Sequence, residues 1–129
     1  MIKMILSGCT GHMGKTIREC VSQRENCEIV AGFGIGEHDC PFPVYANPAD
    51  CKETGDVIID FSHPALLTSL LQFACEHKIP VVICTTGLSE QQIEEIHTAS
   101  QTIPVFFSAN MSLGINLMIE LAKKATKIL

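Results

Sequence analysis

The clearest indication of the fold is the stretch KMILSGCTGHMG, residues 3–14. Lys3 to Ser7 is an apolar segment of strand length, and three glycines follow it directly. Beyond them, Met13, Ile17 and Val21 keep the i, i+4, i+8 spacing of one helix face. The sequence therefore predicts a strand that passes through a tight glycine turn into an amphipathic helix.

The turn has the spacing G-x-x-G-x-x-G, with its glycines at Gly8, Gly11 and Gly14. Glycines permit a sharp turn, close approach of the backbone to a ligand, and close packing of the helix. A pyrophosphate can then bind at the helix N-terminus, where free N–H groups and the helix dipole favour an anion. The strand and helix on either side favour a nucleotide site over a plain tight connection.

The rest of the chain repeats the alternation of strand and helix. A second strand is predicted at Glu28 to Phe33, and buried strands are predicted at Val57 to Ile59, Val81 to Cys84 and Val105 to Phe107. This order is typical of an α/β fold of the Rossmann type, a doubly wound, mostly parallel sheet with helices on both faces. We expect residues 1–129 to form one dinucleotide-binding domain.

Helix starts and ends add detail to this prediction. Pro64 suits a first helical turn, and Ser89 with Gln92 forms a capping box. A last helix, from about Gly114, is still in its periodic pattern at Leu129, which favours a parent protein that continues, although Lys123, Lys124 and Lys127 also suit a true helix end.

Composition restricts the classes of partner. The chain has 129 residues and a formal net charge of -5, without a basic run that would suit a nucleic acid or an anionic membrane. Its first apolar segment is too short for a signal peptide or a membrane span, so we expect a cytoplasmic protein. The seven cysteines are odd in number and include no C-x-x-C pair, which predicts reduced thiols and no metal site.

Small and hydroxyl residues follow three of the later strands, in DFSHP at 60–64, CTTG at 84–87 and SANMS at 108–112. The carboxyl ends of parallel strands form the edge at which open α/β sheets bind ligands. We expect these tips and the glycine turn to line one crevice. Taken singly, each tip is also explained as an ordinary cap or turn.

Gly34 directly follows the second predicted strand, where dinucleotide-binding proteins often place the side chain that selects between NAD and NADP. Glu37 and Asp39 are near enough to hold a ribose if the loop folds back, and His12 could face a phosphate. The choice between NAD and NADP stays open. His63 is interpreted as a cap neighbour, and no residue is assigned a catalytic role.

Four motifs, at 8–14, 60–64, 85–87 and 110–116, resemble in this order those of the dihydrodipicolinate reductases, and the resemblance covers essentially the whole chain. It implies NAD(P)H-dependent reduction of 4-hydroxy-tetrahydrodipicolinate to tetrahydrodipicolinate, in the diaminopimelate route to lysine. It also implies a hinge at Asn110 to Ser112. The cofactor contacts that it implies are Gly8, Cys9, Thr10, Gly11, His12, Met13, Gly34, Phe61, Ser62, Cys84, Thr85, Thr86, Ser108, Ala109, Asn110 and Met111.

The chain departs from the family pattern in three places. Members often have Arg at the position of His12, Gly at that of Cys84, and an acid near Gly34. The resemblance implies a C-terminal domain for substrate binding and tetramerisation that is absent from this chain. The family's paired histidines and lysine, which transfer protons and bind the small dicarboxylate substrate, lie in that domain, as does the sheet that builds its homotetramers. We therefore expect this chain to bind the cofactor without turnover, in an oligomeric state that the sequence does not specify.

Two other functions are compatible with parts of this pattern. One is a non-catalytic Rossmann module that senses a nucleotide, and the other is a different two-domain dehydrogenase, of the homoserine or aspartate-semialdehyde type. The motifs at 60–64 and 110–116 argue against the second.

Overall fold

A computed structural model describes residues 1–36, 38–108, 121, 123–125 and 127. Short 3₁₀ turns at Pro48–Asp50 and Pro64–Leu66 supplement the main elements. The strands and helices, in chain order, are β1 (Ile2–Ser7), α1 (His12–Ser22), β2 (Cys27–Phe33), β3 (Val44–Tyr45), β4 (Val57–Asp60), α2 (Leu67–His77), β5 (Val81–Ile83), α3 (Glu90–Ala99) and β6 (Val105–Phe107).

The strands form one parallel sheet in the order β3-β2-β1-β4-β5-β6. From β1 the chain runs outward through β2 to β3, and it then returns to β4 on the other side of β1. Because crossovers between parallel strands are right-handed, this reversal puts α1 on one face and α2 with α3 on the other. The predicted doubly wound sheet is confirmed, and its switch point lies between β1 and β4.

Among the described residues, the two faces of the sheet are covered unequally. Ile5 and Ile58 are fully buried in a core that includes Phe33 and Phe73, whose rings meet edge to face with centroids 5.5 Å apart. On the face of α1 the predicted apolar stripe is only partly buried, and Met13 is 48% exposed. The core therefore depends mainly on the face that packs against α2 and α3.

The predicted helix starts appear with one difference. Pro64 opens a 3₁₀ turn rather than α2 itself, and His63 caps that turn by accepting a hydrogen bond from the Ala65 N–H at 3.1 Å. The capping box of Ser89 and Gln92 at α3 is confirmed. The predicted last helix begins outside the described residues. In the part of the chain that the structure describes, no helix is long and apolar enough to cross a membrane.

Candidate cofactor site

The glycine turn is packed tightly between α1 and the end of β4. Gly8 has a φ of +82°, and a Cβ atom there would lie 2.2 Å from the carbonyl oxygen of Phe61. A Cβ atom on Gly14 would lie 2.2 Å from the carbonyl oxygen of Gly8. Because real Cβ contacts are essentially never this short, these two positions of the motif require glycine for steric reasons. Glycine at both positions lets the turn, α1 and the end of β4 pack closely together.

The first turn of α1 is open to an anion. Its N-cap is Gly11, in an extended conformation, which offers no side chain to the free N–H groups of the turn. No acidic residue occupies that turn. Unsatisfied N–H groups at the positive end of a helix of 11 residues form a ready anion site.

A cavity of about 460 Å³ opens beside this turn, at the carboxyl ends of β1, β2 and β4. Its position is the switch point of the sheet, where open α/β folds bind ligands. Six predicted cofactor contacts lie in its wall: Gly8, Thr10, Gly11, Gly34, Phe61 and Ser62. The remaining wall residues, which the sequence did not single out as contacts, are Phe33, Ile35, Ala46, His63, Ala65 and Leu66.

Other predicted contacts lie outside this wall. The side chain of Cys9 is buried beneath the turn, where it donates a hydrogen bond to the Phe33 carbonyl oxygen at 3.6 Å. Burial and the neighbouring Cys40 raise the pKa of the Cys9 thiol to about 12, so Cys9 is a packing residue whose backbone alone faces the turn. His12 and Met13 are exposed at the start of α1.

The tips of β5 and β6 depart from the expected single crevice. Thr86 is exposed, and Cys84 is buried, with a thiol pKa raised by burial and by the nearby Asp60. Ser108 is half-buried, and its N–H donates to the Ile83 carbonyl oxygen at 3.1 Å. The described residues of these tips do not line the cavity of about 460 Å³, because it lies at the carboxyl ends of β1, β2 and β4 while β5 and β6 lie farther out in the sheet. Ala109, Asn110 and Met111, with the predicted hinge up to residue 112, lie outside the described residues.

Asp60 belongs to the predicted tip at 60–64 but was not among the predicted cofactor contacts, and its carboxylate is buried beneath the end of β4. Asp60 is 1% exposed and accepts hydrogen bonds from the Ser62 hydroxyl, at 2.5 Å, and from the Thr85 hydroxyl, at 2.8 Å. The network connects the tips of β4 and β5 across 25 residues of sequence. The one sequence signal for it was an acidic residue at the end of an apolar strand.

At the tip of β2, Gly34 leaves room for Thr10, whose side chain would lie 3.1 Å from a Cβ atom at position 34. Asp39 forms an ion pair with Arg18 at 3.2 Å, and this guanidinium lowers the pKa of the Asp39 carboxyl group. Asp39 is therefore already engaged by a cation and is a poorer ribose partner than expected. Glu37 lies outside the described residues.

No metal site accompanies this cavity in the described ranges, which contain no group of three or more His, Cys, Asp or Glu side chains placed to hold an ion.

Two solved structures share this architecture. A dipicolinate-bound dihydrodipicolinate reductase from Paenisporosarcina sp. TG-14 superposes with a TM-score of 0.78 at 22% identity, over 97% of this chain and 53% of the other. An NADP-bound pyrroline carboxylate reductase from Plasmodium falciparum gives a TM-score of 0.57 at 12% identity, over 82% of this chain and 41% of the other. These two likenesses concern the fold alone.

Sequence relatives are closer. The 4-hydroxy-tetrahydrodipicolinate reductases of Caldanaerobacter subterraneus subsp. tengcongensis and Clostridium novyi are 46% and 43% identical to this chain over its whole length. The chain spans about half of these relatives, 51% and 52% of their length. A family model described as dihydrodipicolinate reductase, N-terminus, matches residues 2–111. The chain therefore belongs to the dihydrodipicolinate reductase family, to whose N-terminal part it corresponds.

Proposed function

We propose that this chain binds NADH or NADPH and supplies the cofactor-binding half of a 4-hydroxy-tetrahydrodipicolinate reductase. The observation that carries the proposal is the cavity at the switch point, bordered by a glycine turn and an uncapped helix N-terminus. A dinucleotide needs such an arrangement, because its pyrophosphate is anionic and its two halves extend to opposite sides.

On the basis of the sheet order, we propose that the two halves of the cofactor bind on opposite sides of the glycine turn. With the pyrophosphate at Gly8 to Gly11, the adenosine half extends toward β2 and Gly34. The nicotinamide half extends toward β4, where Phe61 and Ser62 form the opposite wall. This placement agrees with the roles that the family resemblance implies.

The direct experiment is a titration of the purified chain with NADH and with NADPH, followed by nicotinamide fluorescence. We expect saturable binding of at least one of them, and the ratio of the two dissociation constants measures the preference that Gly34 leaves open. Absence of saturable binding for both would refute the proposal.

A pair of variants at Gly11 tests whether the helix N-terminus holds the pyrophosphate. A Cβ atom at this position meets nothing closer than 3.6 Å, so side chains fit. Asp and Asn are similar in size and are both good N-caps, but only Asp brings a negative charge to the anion site. We expect Gly11→Asp to weaken NADH binding much more than Gly11→Asn, while neither variant lowers the melting temperature. Equal binding by the two variants would contradict an anion site here.

The chemical step is proposed for the longer protein. The reduction needs groups that bind the dicarboxylate and transfer a proton, and we propose that the remaining half of the relatives' length supplies them in a second domain. What this chain contributes is the position of the hydride donor. We expect the 129-residue chain to bind cofactor without turnover and a protein of the relatives' length to turn over. Appreciable turnover by the shorter chain would contradict this division.

Location and assembly are further parts of the proposal. None of the seven cysteines, all of which lie in the described residues, forms a disulfide, and this is compatible with a function in the reducing cytoplasm. Homotetramers, which the resemblance implies for the complete protein, are proposed to depend on the second domain. Light scattering of the short and long chains would test this dependence.

A further inference from the structure

The buried carboxylate beneath the β4 tip controls the direction of the protons above it. Asp60 Oδ1 accepts hydrogen bonds from the Ser62 hydroxyl, at 2.5 Å, and from the Ser62 N–H, at 3.2 Å. Its other oxygen accepts from the Thr85 hydroxyl, at 2.8 Å. Thr85 Oγ1 in turn accepts from the Ser62 N–H, at 3.0 Å.

The number of hydroxyl protons in this network determines which hydrogen bonds it can still form with a ligand. A hydroxyl group has one hydrogen to donate, and a carboxylate only accepts. The single hydroxyl hydrogens of Ser62 and Thr85 both point toward Asp60. Ser62 lines the cavity, and its Oγ accepts no hydrogen bond from another described residue, so it offers the cavity lone pairs alone.

We infer that Asp60 is a positioning residue that makes Ser62 an obligate acceptor, so that the cofactor group beside Ser62 is a hydrogen-bond donor. The inference rests on the proposed function. In the nicotinamide half, the available donors are the ribose hydroxyls and the carboxamide NH₂ group. Ser62 has no hydroxyl proton to donate to a phosphate or a carboxylate, and the negative charge of Asp60 lies next to it. An anionic pyrophosphate is therefore directed to the glycine turn instead.

The test compares NADH with ADP, which lacks the nicotinamide half, on the wild-type chain and its variants. Asp60→Asn keeps the shape of the side chain but replaces an acceptor oxygen with an NH₂ donor, which forces a hydroxyl proton in the network to turn. We expect NADH affinity to fall by about tenfold, as for the loss of one hydrogen bond, and ADP affinity to stay unchanged. Ser62→Ala should lose NADH affinity to a similar extent, and the double variant should lose little more.

Three results would overturn the inference. A folded Asp60→Asn variant could bind NADH as tightly as the wild type does, or it could lose affinity for NADH and ADP equally. The losses of NADH affinity in the two single variants could also add up in the double variant. If Asp60→Asn does not fold, Thr85→Val and Thr85→Ser decide. The valine variant should lose NADH affinity, the serine variant should restore most of it, and equal affinities would contradict the network. A wild-type chain that binds neither NADH nor NADPH refutes the proposed function as well, whereas normal binding by all variants of the dinucleotide that the wild type binds refutes only this inference.

Discussion

Replacing Gly8 with alanine is expected to destabilise the fold far more than the same change at Gly87. Both glycines have positive φ, +82° and +77°, so each substitution carries the backbone cost of that conformation, about 1–2 kcal/mol. At Gly87 no atom lies within 4 Å of the added Cβ atom, whereas at Gly8 the Phe61 carbonyl oxygen lies 2.2 Å away.

The difference between the two variants measures the close approach. Because the Phe61 oxygen belongs to the backbone, it cannot turn aside as a side chain would, and the loop after β4 must shift. Overpacking of this kind adds about 1–3 kcal/mol, which gives a total loss of about 2–5 kcal/mol for Gly8→Ala. A shift of this loop also displaces Ser62 in the cavity wall, so cofactor binding should weaken as well.

Urea unfolding of the two variants and the wild type, followed by circular dichroism, gives the free energies of unfolding. A nicotinamide fluorescence titration on the same samples gives the affinities. Equal losses of stability in Gly8→Ala and Gly87→Ala would refute the steric argument. Tight NADH binding by a destabilised Gly8→Ala variant would show that the glycine turn is not part of the cofactor site.

Three further predictions concern other elements. Gly14→Ala should lower the melting temperature, since its Cβ atom would lie 2.2 Å from the Gly8 carbonyl oxygen, and an unchanged melting curve would contradict the packing of α1. Ser89→Ala should lose about 1 kcal/mol in urea unfolding through loss of the capping box, and a loss below a few tenths would show the cap to be unimportant. Folding raises the pKa of the Cys9 thiol from 9.0 to about 12, so the folded state favours the neutral thiol. The contribution of Cys9 to the free energy of unfolding is therefore complete below pH 9 and falls as the pH rises toward 12. At pH 8, iodoacetamide should label the exposed Cys20 much faster than Cys9 in the folded protein, and equal rates measured by peptide mass spectrometry would contradict this burial.

Local sequence signals were sufficient wherever the physics is local. The alternation of apolar strands and periodic helices predicted the parallel sheet, and the Ser89 cap was readable because both partners lie within four residues. The glycine turn was recognised from spacing and from its neighbours. For α1 the pattern was a weaker guide to burial, because Met13 keeps the helical period and is nevertheless exposed.

Contacts between segments that lie far apart in the sequence could not be predicted and are seen only in the folded chain. The order of strands and helices, the place of the glycine turn and the resemblance to a reductase family could be predicted from the sequence, because each depends on neighbouring residues or on motif order. The folded structure was needed to show that Asp60 contacts Thr85 and that the cavity opens beside β1, β2 and β4. The physical reason is that strand order in the sheet, rather than order in the chain, determines which side chains become neighbours.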